Sequence, residues 1–191
     1  MNDIVLLTDQ TVLADIAKND PEWFVCLMAV WQLTNQDVLA DIAKNDNNIF
    51  VRMTAVERLT DQETLSDIAK NDNNREVCMN AVWRLTDQKL LSDIAKNNKD
   101  MFVRDEAVGM LTDHEALADI AKNDNKTLVR FRAAKKLSDQ TLAQTVLADL
   151  AKNDPDEFVC LTAVKLLTYK EIFDDFTKHI KAKLALENTR C

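Results

Sequence analysis

Leucines recur along this chain every 26 residues, at Leu7, Leu33, Leu59, Leu85, Leu111 and Leu137. Thr or Ser, then Asp or Asn, follows each one. Between them a second apolar block returns six times, first as "LADIAKND" from Leu13 to Asp20 and last as "LADLAKND" from Leu147 to Asp154. Within a copy the apolar positions keep a helical period. Leu13, Ile16 and Ala17 fall at i, i+3 and i+4, one stripe of an amphipathic helix. Val25, Ala29 and Leu33, flanked by Val30, mark a second stripe at i, i+4 and i+8. Each unit therefore predicts two helices of about ten residues joined by tight turns.

The polar residues between the stripes place the helix ends. Thr8, Thr34, Thr60, Thr86, Thr112 and Ser138 form a column suited to the first N-cap. Acids three residues on (Asp37, Glu63, Glu115) add capping boxes at the two Thr-to-Glu pairs. The first helix should stop at Lys18-Asn19, lysine suiting the negative helix end and asparagine a left-handed cap. Asp20, Asp46, Asp72, Asn98, Asp124 and Asp154 are the expected second cap, with Pro21 and Pro155 at the first helical position. The Ala29 column is Ala in all six copies, as a close helix–helix crossing requires.

A unit this small cannot bury enough apolar surface to fold alone, so neighbours must stack. The expected fold class is an all-α solenoid, one domain over 1–191. Within it, 1–6 is a partial N-terminal cap and 7–166 holds six repeats of 26–30 residues, the sixth lengthened by four near Thr141 to Gln144. Residues 167–191 are expected as a C-terminal capping helix with Ile172, Phe173, Phe176, Ile180 and Leu184 on its inner face. A single Gly and two Pro leave no glycine-rich phosphate loop and little punctuation for hairpins. Neither a signal peptide nor a membrane span is read from the sequence, so a cytoplasmic location is expected.

The segments "NDPDEFVCLTAVKLL" (Asn153 to Leu167) and its counterpart from Asp20 carry a further signal. Asp154, Pro155, Val159, Ala163 and Leu167, like Asp20, Pro21, Val25, Ala29 and Leu33, fit D-P-x-x-x-V-R-x-x-A-x-x-x-L. This resembles the second-helix signature of HEAT-like repeats of the bilin-lyase type, and the resemblance covers nearly the whole chain. It implies a right-handed α-α superhelix whose second helices line the concave side, with a ladder of Asp and Arg contacts between repeats. The chain departs from that pattern where Cys26, Cys78 and Cys160 replace the arginine present at Arg52, Arg104 and Arg130. Its 26-residue period is short for that family and approaches the leucine-rich-variant repeats.

Cysteines two repeats apart are too distant to bridge, being on the order of 20 Å from each other in layers about 8–10 Å thick. Cys26, Cys78 and Cys160 are expected as semi-buried free thiols, and Cys191 as free. Two histidines, His114 and His179, have no triad or metal-ligand spacing. The recurring carboxylates of the Asp15 column are explained by contacts to Lys or Asn of the next repeat, or by plain solvation, ahead of a cation site. No enzyme, cofactor or metal is expected.

Binding should be sought in columns released from core duty. On the second helices these hold Phe24, Leu27, Met28 and Trp31, then Met53, then Met79 and Trp83. Such side chains suit a protein or peptide surface; they equally suit packing between adjacent second helices. Charge adds a second candidate. The balance is −11 over 1–119 and +3 over 120–191, and the basic excess gathers at Arg130, Arg132, Lys135 and Lys136. These residues form an anion patch or a solvated helix face. A net charge of −8 argues against nucleic acid. The expectation is a monomeric scaffold for a protein or peptide partner, with no membrane contact. The alternative, from the resemblance, is an accessory enzyme acting on a chromophore-bearing protein.

Overall fold

The structure, a computed structural model, describes residues 9–137 and 140–167. Among these all regular secondary structure is helical: α1 (Gln10–Asn19), α2 (Trp23–Gln32), α3 (Gln36–Asn45), α4 (Ile49–Arg58), α5 (Gln62–Asn71), α6 (Arg75–Arg84), α7 (Gln88–Asn97), α8 (Met101–Met110), α9 (His114–Asn123), α10 (Thr127–Lys136) and α11 (Gln140–Asn153). A further stretch, α12, is helical over 157–167. The chain divides into two compact units, Met1–Ala116 and Leu117–Cys191. The expected caps at 1–6 and 167–191, the Thr8 and Ser138 cap positions, His179 and Cys191 lie outside the described residues, apart from Leu167 itself.

In the first unit each odd helix packs on the even one after it, α1 on α2 through α7 on α8. The even helices also pack side by side in the order α2, α4, α6, α8, while successive odd helices touch far less. The expected stripes form the core. Leu13, Leu39, Leu65 and Leu91 are fully buried from the odd helices, and Leu33, Leu59 and Leu85 from the ends of the even ones. Ala29, Ala55, Ala81 and Ala107 are likewise sealed, because helices crossing this closely leave no room for a γ-carbon. In the second unit Leu117, Ile120, Val129, Ala133, Leu150, Val159 and Ala163 occupy the same positions. The four extra residues lengthen α11 to 14 residues while all of α1–α10 keep ten.

The helix ends differ from the sequence expectation in three ways. First, the odd-helix cap is the residue after the threonine. Asp9 accepts from the amides of Thr11 and Val12, and Asn35, Asp61 and Asp87 cap the next three helices likewise. This shift removes the capping boxes, since Glu63 now sits only two residues past its cap. Second, the Asp20 column makes a turn instead of a cap: Asp46 Oδ1 accepts from Asn48 N at 2.7 Å, and Asn48 Oδ1 then caps α4 through Phe50 N. Pro21 and Pro155 lie in that turn, two residues ahead of α2 and α12. Third, no described residue has positive φ. Asn19 stays helical, and Asp20 ends α1 in extended backbone while its amide closes on Ile16 O at 3.1 Å.

The displaced threonines serve the seam between repeats. Gln62 Oε1 accepts from Thr86 N (2.8 Å), Thr86 Oγ1 (3.2 Å) and Asp87 N (3.2 Å), and Gln62 Nε2 donates to Arg84 O at 3.4 Å. Gln10, Gln36 and Gln88 hold Thr34, Thr60 and Thr112 in the same way. A second seam runs along the odd helices. Asn45 donates to Asp41 one turn back at 2.7 Å, and Lys18 of the preceding repeat reaches the same carboxylate at 2.5 Å. Lys44–Asp67 and Lys70–Asp93 repeat the pair at 2.6 Å. The Asp15 column is thus structural, but its lysine comes from the repeat before, and its asparagine from its own helix.

Candidate functional site

Trp31 and Trp83 are each the ninth residue of a ten-residue even helix, two residues and so about half a turn past the sealed alanine of the core stripe. That position points away from the core, and both indoles keep 51% of their surface exposed. Each leans on the following even helix. The Arg58 guanidinium carbon lies 5.9 Å from the Trp31 ring centroid, and Trp83 Nε1 donates to Glu106 Oε2 at 3.1 Å. Phe24, Leu27, Met28, Met53 and Met79 are half-buried beside them. The stripe read from the sequence therefore divides, with methionines and leucine partly packed between helices and the two indoles presented outward.

Glu57 is the ninth residue of α4, and α4 packs between α2 and α6. It is exposed and has no hydrogen bond or ion pair among the described residues. A carboxylate thus sits between two half-exposed indoles. The column was legible in the sequence, but its middle member stood out only once α4 was placed between the tryptophans.

A second aromatic edge, of which only Phe24 was singled out from the sequence, follows the starts of the same helices. Trp23 lies 5.6 Å from Phe50 and 6.4 Å from Phe24, ring centroid to ring centroid. Arg75 stacks 4.3 Å over Phe102 while its Nε donates to Asp100 Oδ2 at 2.7 Å. Burial raises the Asp100 pKa, but Arg75 and the amide of Phe102 outweigh it and hold the carboxyl below the usual range. The signal was the recurrence of Phe24, Phe50 and Phe102 in one column.

The basic cluster of the second unit loses a member. Arg130 is buried, with Nε 2.6 Å from Asp154 Oδ2, Nη2 2.7 Å from Oδ1 and Nη1 2.9 Å from Asp124 O. The Asp154 hydrogen bond pushes the guanidinium pKa up. Burial works the other way on Asp154, yet Arg130 keeps that carboxyl below its usual range. Arg130 is a structural strut and not part of a surface patch. Lys135 remains exposed, and Arg132 and Lys136 are half-buried. Burial, then the charge of Arg132, lowers the Lys136 pKa. The same unit exposes Phe158, Leu161 and Val164 on α12, with Phe158 6.5 Å from Phe131.

The cysteines take over one duty of the arginines they replace. Arg52 Nη1 donates to Asp46 O at 2.9 Å; Cys26 Sγ donates to the equivalent Asp20 O at 3.3 Å and Cys78 Sγ to Asp72 O at 3.3 Å. Burial first, then Asp72, pushes the Cys78 thiol up to about 11. Cys26, Cys78 and Cys160 are free thiols. Among the described residues no group of three or more His, Cys, Asp or Glu could hold a metal ion, and no helix is long and apolar enough to cross a membrane. Comparison of the chain with protein-family models, curated proteins and solved structures yields no match.

Proposed function

We propose that the protein is a non-enzymatic binding scaffold, a HEAT-like solenoid of six repeats wound as a right-handed superhelix, which holds a protein or peptide partner on its even-helix face. The observation that carries this reading is the outward presentation of Trp31 and Trp83. Half-exposed indoles anchored at one edge by a neighbour lose little conformational entropy on binding and bring a large contact area, as hot-spot residues do. The side-by-side packing of the even helices supports it too, because a concave face draws its helices together while the outer ones spread. Met53 and Met79 beside the indoles supply adaptable apolar surface.

The test compares wild type with the Trp31→Ala/Trp83→Ala double variant as baits in native lysate. Circular dichroism checks that both are folded. A partner retained by wild type and lost from the folded variant is the expected result. If the variant unfolds, the indoles are core and the reading fails. Identical captures from two folded baits also reject it.

A further inference from the structure

Trp31, Glu57 and Trp83 occupy the same position on three consecutive packed helices, so they form a row across α2, α4 and α6. Packed helices lie about 8–10 Å apart, which sets the step along the row. A polyproline II chain has three residues per turn and a rise of about 3.1 Å, so every third residue returns to one face after about 9 Å. The two periods agree. An extended β-strand does not fit as well, because its residues i and i+3 point to opposite faces.

Chemistry along the row matches that geometry. Indole faces accept proline rings or the aliphatic part of a side chain, and aromatic-lined surfaces are the usual receptors of polyproline II segments. Between the indoles the one carboxylate without a partner is Glu57. The neighbouring guanidiniums are engaged: Arg58 donates to Leu33 O at 3.1 Å and lies against Trp31, and Arg84 donates to Leu59 O at 3.3 Å. Glu106 already accepts from Trp83. An unpaired carboxylate between two indoles favours a cation at the middle position through its charge.

We infer that the Trp31–Glu57–Trp83 row takes a proline-rich segment of the partner in polyproline II form, with Arg or Lys over Glu57 and prolines three residues to either side on the indoles. This rests on the scaffold reading and adds the class of ligand.

The probe is a fluorescein-labelled Pro-Pro-Pro-Arg-Pro-Pro-Pro peptide followed by anisotropy against the full chain. Two control peptides replace the Arg by Glu, or replace the intervening prolines by Gly and Ser. The Arg peptide should bind, and the Gly-Ser peptide should bind about tenfold more weakly because it is not preorganised. Glu57→Arg, at an exposed position, should weaken the Arg peptide by about tenfold or more and turn the preference toward the Glu peptide. Trp31→Ala and Trp83→Ala should each weaken binding at least about threefold. Absence of binding by the Arg peptide, or an unchanged charge preference in folded Glu57→Arg, overturns the inference. The lysate capture separates the two readings. A Trp-dependent partner with no response in the peptide series leaves the scaffold standing and removes the polyproline ligand; failure of both removes both.

Discussion

Arg52 on α4 reaches Asp72, twenty residues on, through two parallel hydrogen bonds, Nε to Oδ2 at 2.9 Å and Nη2 to Oδ1 at 3.2 Å. Both side chains are nearly sealed from solvent. Without the guanidinium the nearly buried Asp72 carboxylate keeps the Asn74 amide, at 2.7 Å, but loses its counter-charge, so Arg52→Ala should destabilise the protein by about 3 kcal/mol. Urea denaturation measures this.

The chain itself shows how such a rung can be dismantled. Where cysteine stands at Cys78, the next repeat carries Asn98 instead of aspartate, and Asn98 Nδ2 donates to Ala69 O at 2.9 Å. The neutral pair leaves no stranded charge. Arg52→Cys combined with Asp72→Asn should therefore cost less than the two single changes added together. A coupling of about 1 kcal/mol or more in a double-mutant cycle is expected, and simple additivity would refute it.

Acid should loosen the odd-helix seam. Hydrogen bonds from Lys18, Lys44 and Lys70 foremost, then from Asn45, Asn71 and Asn97, hold Asp41, Asp67 and Asp93 below the usual carboxylate range. Folded-state values below unfolded ones mean that this stability is fully present above about pH 5 and is lost as pH falls through the folded values, below about 4. The pairs are about half exposed, so each contributes only about 0.5 kcal/mol. Urea midpoints from pH 7 to pH 3 should stay flat and then drop, and Asp67→Asn should shrink the drop.

The glutamine clamp is a polar seam with a definite worth. Gln62→Ala strips the acceptor from three donors, Thr86 N, Thr86 Oγ1 and Asp87 N, all near solvent. Water replaces part of what is lost. A destabilisation of about 1 kcal/mol is expected from thermal or urea unfolding.

Cys78 should be inert. With its thiol pushed up to about 11, only about one molecule in ten thousand carries the thiolate at pH 7. Iodoacetamide followed by peptide mass mapping should find Cys78 unmodified in the native protein and alkylated in urea.

Much of this fold was legible because the apolar stripes repeat with the period of a helix and the same residues recur as Leu13, Ala29 and Leu33 in every unit. Helix ends were harder. Thr8-Asp9 and Asp46 to Asn48 each offer more than one residue able to cap, and local sequence cannot choose between them. The choice is made by the neighbouring repeat, whose glutamine engages the threonine and frees the aspartate. Arg130 misled for a similar reason: its partner Asp154 lies 24 residues on, so a basic run in the sequence became a buried strut. Exposure of Trp31 and Trp83 was equally invisible, because a large aromatic residue at that spacing fits a packed face as well as an open one.

Two seams of the first unit repeat in the same atoms, glutamine to threonine loop and lysine to aspartate. Removing one period, for example 36–61, would join Asn35 to Gln62, leaving Gln10 on Thr34 and Gln62 on Thr86, and adding one would likewise keep this clamp. Growth by copying therefore needs no new glutamine or lysine contact. A change of length in steps of 26 residues thus leaves these two polar seams as they were.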